Sequence, residues 1–339
     1  MKTRHILFTI VTSVACAMLV VSRYTWAAGG CGSVCLPLDA IDPEKTQLHK
    51  NTLRIGFNYE RARFNNFREG NDDIPNPGGN KATITQASLF VDYGVNKKLT
   101  ASLLVPYVKK DQKTNKFNNR VANGVGDISV FGRYEIVSPK VALKPALFLK
   151  GPSIALGMGL KFPTGDINEP GKGTRLPPAF QIGSGAYDII PTASYFQYFG
   201  PHSLFGSVFA RIPLEENHRG YKFGREYELN VGGQYSLPAY RDLFLLLSFS
   251  LLHADHDRDS DGILPPRLRD GKKVLNTGGQ FIDVVPGVRW QASRKLSAQL
   301  RFAIPLHEDW NGQRSTNVGQ VAPDVTTMFT ITYNIGRIN

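Results

Sequence analysis

Long apolar runs are scarce in this chain of 339 residues. One stands out, residues 6–21, which follows Lys2, Arg4 and His5 and precedes Thr25-Trp26-Ala27-Ala28. A basic start, an apolar centre and small residues at the end predict a secretory signal peptide over 1–27, cut after Ala27 or Ala28. The run falls short of the ~20 residues of a helical span, so a retained anchor fits less well. Convincing amphipathic helices are also missing. Cysteine is sparse, at three residues, and Cys16 leaves with the leader. Cys31 and Cys35 remain, an even pair in an oxidising compartment, which predicts a local disulfide. Two thiolates are too few for a structural zinc, and a lipoprotein site at Cys31 would want Leu where Ala28 stands.

A nucleophile placed beside a base is lacking as well. Ser250 and His253 lie three apart on a strand and so face opposite ways. Gly183-Ser184-Gly185 has no strand–turn–helix around it, as a nucleophile elbow requires. No catalytic residue is expected, and no enzyme. Anionic charge is the minority: the net charge is +12, and +9 once Lys2, Arg4 and Arg23 are removed. For an exported protein this implies no nucleic acid. The expected partners are outer-membrane lipid, lipopolysaccharide phosphates and small solutes.

What the chain does have is alternation. In 280–291, Ile282, Val284, Val288 and Trp290 share one face against Asp283 and Arg289. In 296–306, Leu296, Ala298, Leu300, Phe302, Ile304 and Leu306 oppose Ser297, Gln299 and Arg301. Successive strand side chains point to opposite faces, so these are two strands joined by a tight turn. Similar segments recur at 52–61, 83–95, 99–108, 125–137, 153–162, 181–198, 203–212, 225–237, 243–252 and 325–335, twelve in all. Long polar connections (62–82, 109–124, 163–180, 213–224, 253–279, 307–324) alternate with short turns, the pattern of a transmembrane antiparallel up-and-down β-barrel. Residues 138–152 break the rule and leave fourteen strands open, although Pro145 argues against a central strand there. Residues 28–50, polar and holding Pro37 and Pro43, form a periplasmic lead-in to a barrel over 51–339.

A soluble barrel alternates too. Segments of ~10 residues suit a tilted span, and twelve strands enclose more room than one layer of apolar side chains fills. Strands running toward the short turns carry an aromatic near that end: Tyr93, Tyr134, Tyr195 or Tyr198, Tyr235, Trp290 and Tyr333. An interfacial girdle explains this row. The opposite face then lines a lumen with Asp127, Arg133, Glu135, Lys161, Glu226, Glu228, Asp283, Arg289 and Arg301, either paired as filling or selecting a solute. Residues 28–50 or 109–124 are candidates for a plug.

GVGDISVFGRYE (124–135), LGMGLKFPTGD (156–166), FQIGSGAYD (180–188), NTGGQFIDVVPGVRW and FAIPLHEDWNGQ together resemble the MetA-pathway-of-phenol-degradation family, over roughly 53–335. The resemblance implies a β-barrel of the bacterial outer membrane that admits aromatic or other hydrophobic compounds. The chain departs from many such barrels in ending Gly336–Asn339 without a terminal aromatic.

One local motif points to a metal. Asp257, Asp259 and Asp261, with Gly262 at the sixth place, make the opening half of a calcium loop. Leu268 occupies the twelfth place, where a bidentate Glu would close it. A weak structural calcium site and a solvated acidic loop both fit, and His253 and His256 nearby lack a third ligand for a transition metal. No other cofactor is expected. The sequence therefore reads as a passive channel for small, aromatic or hydrophobic compounds, with a non-conducting structural or partner-binding barrel as the alternative.

Overall fold

The computed structural model describes residues 48 and 50–336, apart from 77, 116, 143–147, 171–174, 201, 238–241 and 313–318. The signal peptide, nearly all of 28–50 and the Cys31–Cys35 pair lie outside the described residues.

Twelve strands form the wall: β1 (Leu53–Glu69), β2 (Lys81–Gly94), β3 (Leu99–Thr114), β4 (Ser129–Val137), β5 (Phe148–Lys161), β6 (Asp188–Phe199), β7 (His202–Pro213), β8 (Glu226–Ser236), β9 (Leu243–Ala254), β10 (Gly279–Trp290), β11 (Leu296–Trp310) and β12 (Gln320–Ile335). Each pairs antiparallel with its chain neighbour, and β12 returns to β1 from Leu53↔Ile335 to Arg68↔Gln320. The sheet closes on itself, which removes the exposed edges an open sheet would present.

The faces are inverted relative to a soluble barrel. Leu89, Met158, Leu247, Trp290 and Leu306 are each at least half exposed on the outside, whereas Asn58, Ser88 and Asp188 on the inside are at most 1% exposed. A continuous apolar exterior of this size is costly in water and matches a hydrocarbon layer. The girdle is present: Tyr93, Tyr134, Tyr195, Tyr235, Trp290 and Tyr333 all point outward. Tyr195 supplies the β6 member. Tyr198 faces inward and stacks on Phe196 at 5.6 Å.

Several boundaries differ from the sequence reading. β1, β3, β11 and β12 run to 15–17 residues, so one side of the wall stands taller than the rest. The 125–137 segment is broken at 126–128. The 109–124 connection, a plug candidate in the sequence, instead extends β3 to Thr114 and returns along it as the hairpin strand Phe117–Val125. Lys140–Ala142 pairs only with the foot of β5 and adds no wall strand, because β4 bonds β5 directly. Twelve is the number. β11 and β12 pair from Leu296↔Tyr333 up to Ala303↔Thr326. Above that level Pro305 and Pro323, which lack an N–H, stand in the two strands.

Candidate transport path and its inward segment

All nine charged residues assigned to the lumen by alternation stand on its inner side, and Asp127, Glu135, Lys161 and Glu228 are buried there. The pairing register sets several side by side at the long-loop rim. Lys161 at the end of β5 bonds Asp127 at 3.0 Å and Asp188 at 2.8 Å. Arg211 at the end of β7 reaches Asp188 at 3.4 Å and pairs with Glu226. Five charges on neighbouring strands thus form one buried chain of alternating sign. Lower down, Glu228 accepts from Asn230 at 2.7 Å and Ser250 at 2.9 Å. Arg289 sits 4.7 Å over the Phe244 ring. At the short-turn end Arg54 bonds Asp92 at 2.7 Å, and Ser138 and Ser153 hold Glu135.

Sequence reasoning missed Asp188, Arg211, Arg54 and Asp92. Arg211 was within reach, because Ser203, Ser207 and Arg211 keep one phase. Asp188 was hidden by reading 181–187 as strand. The inner face is also less polar than alternation alone suggests: Phe90, Leu104, Val108, Ile190, Val285 and Met328 point inward and are almost fully covered. Over part of its length the lumen is filled.

Residues 162–170 and 175–187 complete the filling. The chain leaves the wall after Lys161 and rejoins it at Asp188, next to Lys161. Between these points it crosses to the far side, where Leu176, Phe180 and Ile182 pack with Ala62 and Phe64 of β1, Ala82 of β2 and Ala122, near Val321 of β12. Burying each of those three large side chains is worth about 1.5–3 kcal/mol. Lys110 of β3 donates to the Ala179 carbonyl at 3.2 Å and the Gln181 carbonyl at 2.6 Å. At the root, Asp127 accepts from the Gly165 and Ser184 amides at 2.9 and 2.8 Å and from the Ser184 hydroxyl at 2.7 Å. Gly183 and Gly165 meet backbone to backbone there. A Cβ on either would overlap the other. The Gly-Ser-Gly motif is thus a crossing point of two backbone segments.

The barrel has a solved counterpart. The fold is that of an outer-membrane β-barrel. The COG4313 outer membrane channel from Pseudomonas putida F1 superposes with a TM-score of 0.63 at 12% identity, covering 86% of this chain and 98% of that one. At this identity the likeness carries the fold and nothing more. The transport unit of the autotransporter AIDA-I from Escherichia coli (TM-score 0.43, 11% identity, 86% and 91% covered) and the CymD monoaromatic hydrocarbon channel (0.38, 8%, 86% and 90%) are too distant to argue from. No family model and no curated protein matches the chain.

The half-calcium loop resolves differently. Tyr221–Lys222, Arg258–Asp259, Lys273–Val274 and Arg269–Asp270 form a small sheet above the mouth. Asp257 is buried beneath it, accepting from the Tyr221 hydroxyl at 2.6 Å and the Gly224 amide at 2.7 Å. Asp259 accepts from the Ile263 and Leu264 amides at 2.9 and 2.8 Å and faces Arg269 at 3.5 Å. Asp261 is exposed. The three carboxylates are committed to separate protein donors or to solvent and do not converge on a calcium site. Among the described residues no group of three or more His, Cys, Asp or Glu could hold a metal ion. Burial pushes the Asp257 carboxyl up to about 6, against the opposing pull of its two donors and Arg211. Burial beside Asp257 drives the Tyr221 hydroxyl well above its ordinary value.

Proposed function

We propose that this barrel is a passive channel of the bacterial outer membrane for small solutes, gated by the inward segment and non-catalytic. The observation that carries the reading is the crossing of the lumen by residues 162–170 and 175–187, whose far end is held by Lys110 and a small apolar contact. A wall of this size with a tethered internal segment suits regulated passage better than a filled scaffold does. Apolar side chains among the lumen charges favour uncharged or hydrophobic solutes, in keeping with the resemblance to the MetA-pathway family. The lumen charges Arg133, Glu135, Asp283, Arg289 and Arg301 line the path, while Asp127, Lys161, Asp188, Arg211 and Glu226 hold the segment's root.

Solute flux into liposomes carrying the folded protein tests this. Phenol and other single-ring solutes are expected to enter faster than sugars of similar size. If no solute passes, in the intact protein or in a variant with the segment released, the barrel is a non-conducting scaffold for a partner complex.

A further inference from the structure

Arg61 and Arg63 flank Ala62 on β1, and Lys81 precedes Ala82 on β2. Both alanines face inward, against the inward segment, so these three cations point out of the barrel. Lys109 and Lys113 on β3 alternate with the inward Lys110 in the same way and stand outside too. All five are exposed. Register brings them together. Arg61, Thr85 and Lys109 share one row across three strands, Arg63, Thr83 and Asp111 the next, and Lys81 faces Lys113 above. Neighbouring strands lie ~4.8 Å apart, so the patch is about 10 Å wide.

The protein leaves most of this charge unmet. Within these rows the acid is Asp111, which reaches Lys109 at 3.5 Å. Asp324 on β12 is taken by the side-chain amides of Asn65 and Asn66. Among the described residues Arg61, Arg63, Lys81 and Lys113 make no ion pair. Like charges directly opposite on one sheet face repel, and Lys81 with Lys113 is such a pair. The outward faces of the other nine wall strands hold no described lysine or arginine above the short-turn end. The cations are thus gathered on one side of the wall.

The patch begins where the apolar band ends. One outward step below Arg61, Thr85 and Lys109 come Tyr59, Ala87 and Tyr107, and below them Leu89 and Val105. Tyr93 of the short-turn girdle is level with Ala101. At ~3.4 Å per residue β3 climbs roughly 27 Å from Ala101 to Lys109 and roughly 41 Å to Lys113. A tilt of ~40° turns these into about 21 and 31 Å of height, on either side of the upper edge of an apolar band ~25 Å tall. The cations therefore stand at headgroup level.

We infer that the outward face of β1–β3 binds the phosphates of an anionic glycolipid of the outer leaflet, of the lipid A kind, with acyl chains lying against Leu89 and Tyr107. The inference rests on the outer-membrane placement proposed above, with the long loops outside, and not on conduction. The bound lipid lies back to back with the seat of the inward segment, since Ala62 and Ala82 carry that seat on the other face of the same strands.

The folded protein in detergent micelles is titrated with diphosphoryl lipid A, its dephosphorylated form, phosphatidylglycerol and inorganic phosphate, and bound lipid is counted by native mass spectrometry. Diphosphoryl lipid A should bind about tenfold tighter than either comparison lipid and weaken with added salt. Each cation beside an anionic headgroup contributes about fivefold, so Arg61→Gln/Lys109→Gln and Lys81→Gln/Lys113→Gln should each lose about 25-fold. Arg267→Gln/Lys272→Gln, which removes the same charge from exposed loop positions, should match the parent. Equal affinity for lipid A and either comparison lipid, equal losses in the loop and wall variants, or full displacement by millimolar inorganic phosphate overturns the site. Heat-dependent gel mobility checks each barrel, and should one wall pair not fold, the other decides. Liposome flux separates this from the channel reading: lipid binding without flux keeps the patch and defeats the channel, while flux without selective lipid binding does the reverse.

Discussion

The Lys110 ammonium lies 2.6 Å from the carbonyl oxygen of Gln181, joining β3 to a segment rooted in β5 and β6. It is a charged tether of the segment's far end, beside the apolar packing there. Lys110→Met removes both hydrogen bonds and keeps the aliphatic stem. Single-channel conductance in planar bilayers should rise several-fold, with more frequent openings. Conductance equal to the parent protein would mean that residues 162–187 do not control the path.

Asp188 stands between two buried cations, Lys161 and Arg211. Asp188→Asn leaves Lys161 with Asp127 and Arg211 with Glu226, so the loss should stay below the about 3–5 kcal/mol of a fully unpaired buried charge. The urea midpoint of the folded barrel should fall accordingly, and protease should cut 162–187 more readily. A midpoint within the scatter of the parent would show that the rim chain contributes little.

The loop sheet should respond to pH through Asp257. Its carboxyl titrates near 6 in the folded loop, above its ordinary range, so the folded form holds the proton more tightly than the open form. The resulting stabilisation is complete below about pH 4 and is lost as pH rises through 6, by on the order of 3 kcal/mol. His256, held below its ordinary value mainly by burial, pulls the other way. Amide exchange in 255–278 is therefore best compared between parent and Asp257→Asn: the parent should lose protection from pH 5 to 7.5 more steeply than the variant. Parallel pH curves would remove Asp257 from the account.

Neutralising Arg133, Arg289 and Arg301 to Gln should move the reversal potential in a KCl gradient toward cation preference. These cations stand on the inner face at two levels of the wall. An unmoved potential would place the conducting route elsewhere.

Much of the wall could be read from the chain because a strand writes its two faces into alternate residues. The aromatic row at the short-turn end followed from the same rule, with Tyr195 and Tyr198 settled only by the β6 phase. The charge pairs were harder. Lys161, Asp188 and Arg211 come from three strands, and their meeting depends on register, which alternation alone leaves open. The inward segment was hidden for another reason. Residues 181–187 continue directly into β6, and nothing local marks the step where Gly183 turns against Gly165. Asp257, Asp259 and Asp261 misled because spacing describes which side chains could converge, whereas amides and a phenol hydroxyl reached two of them first.

The far contact of the inward segment lies on β1 and β2 beside the seam, with Phe64 on β1, Ala82 on β2 and Val321 of β12 against its edge. That seat is complete only once the two ends of the chain have met. The expected order is therefore that the segment docks fully as the seam zips. A barrel stalled before seam closure should leave 162–187 open to protease, making that segment a reporter of completed assembly.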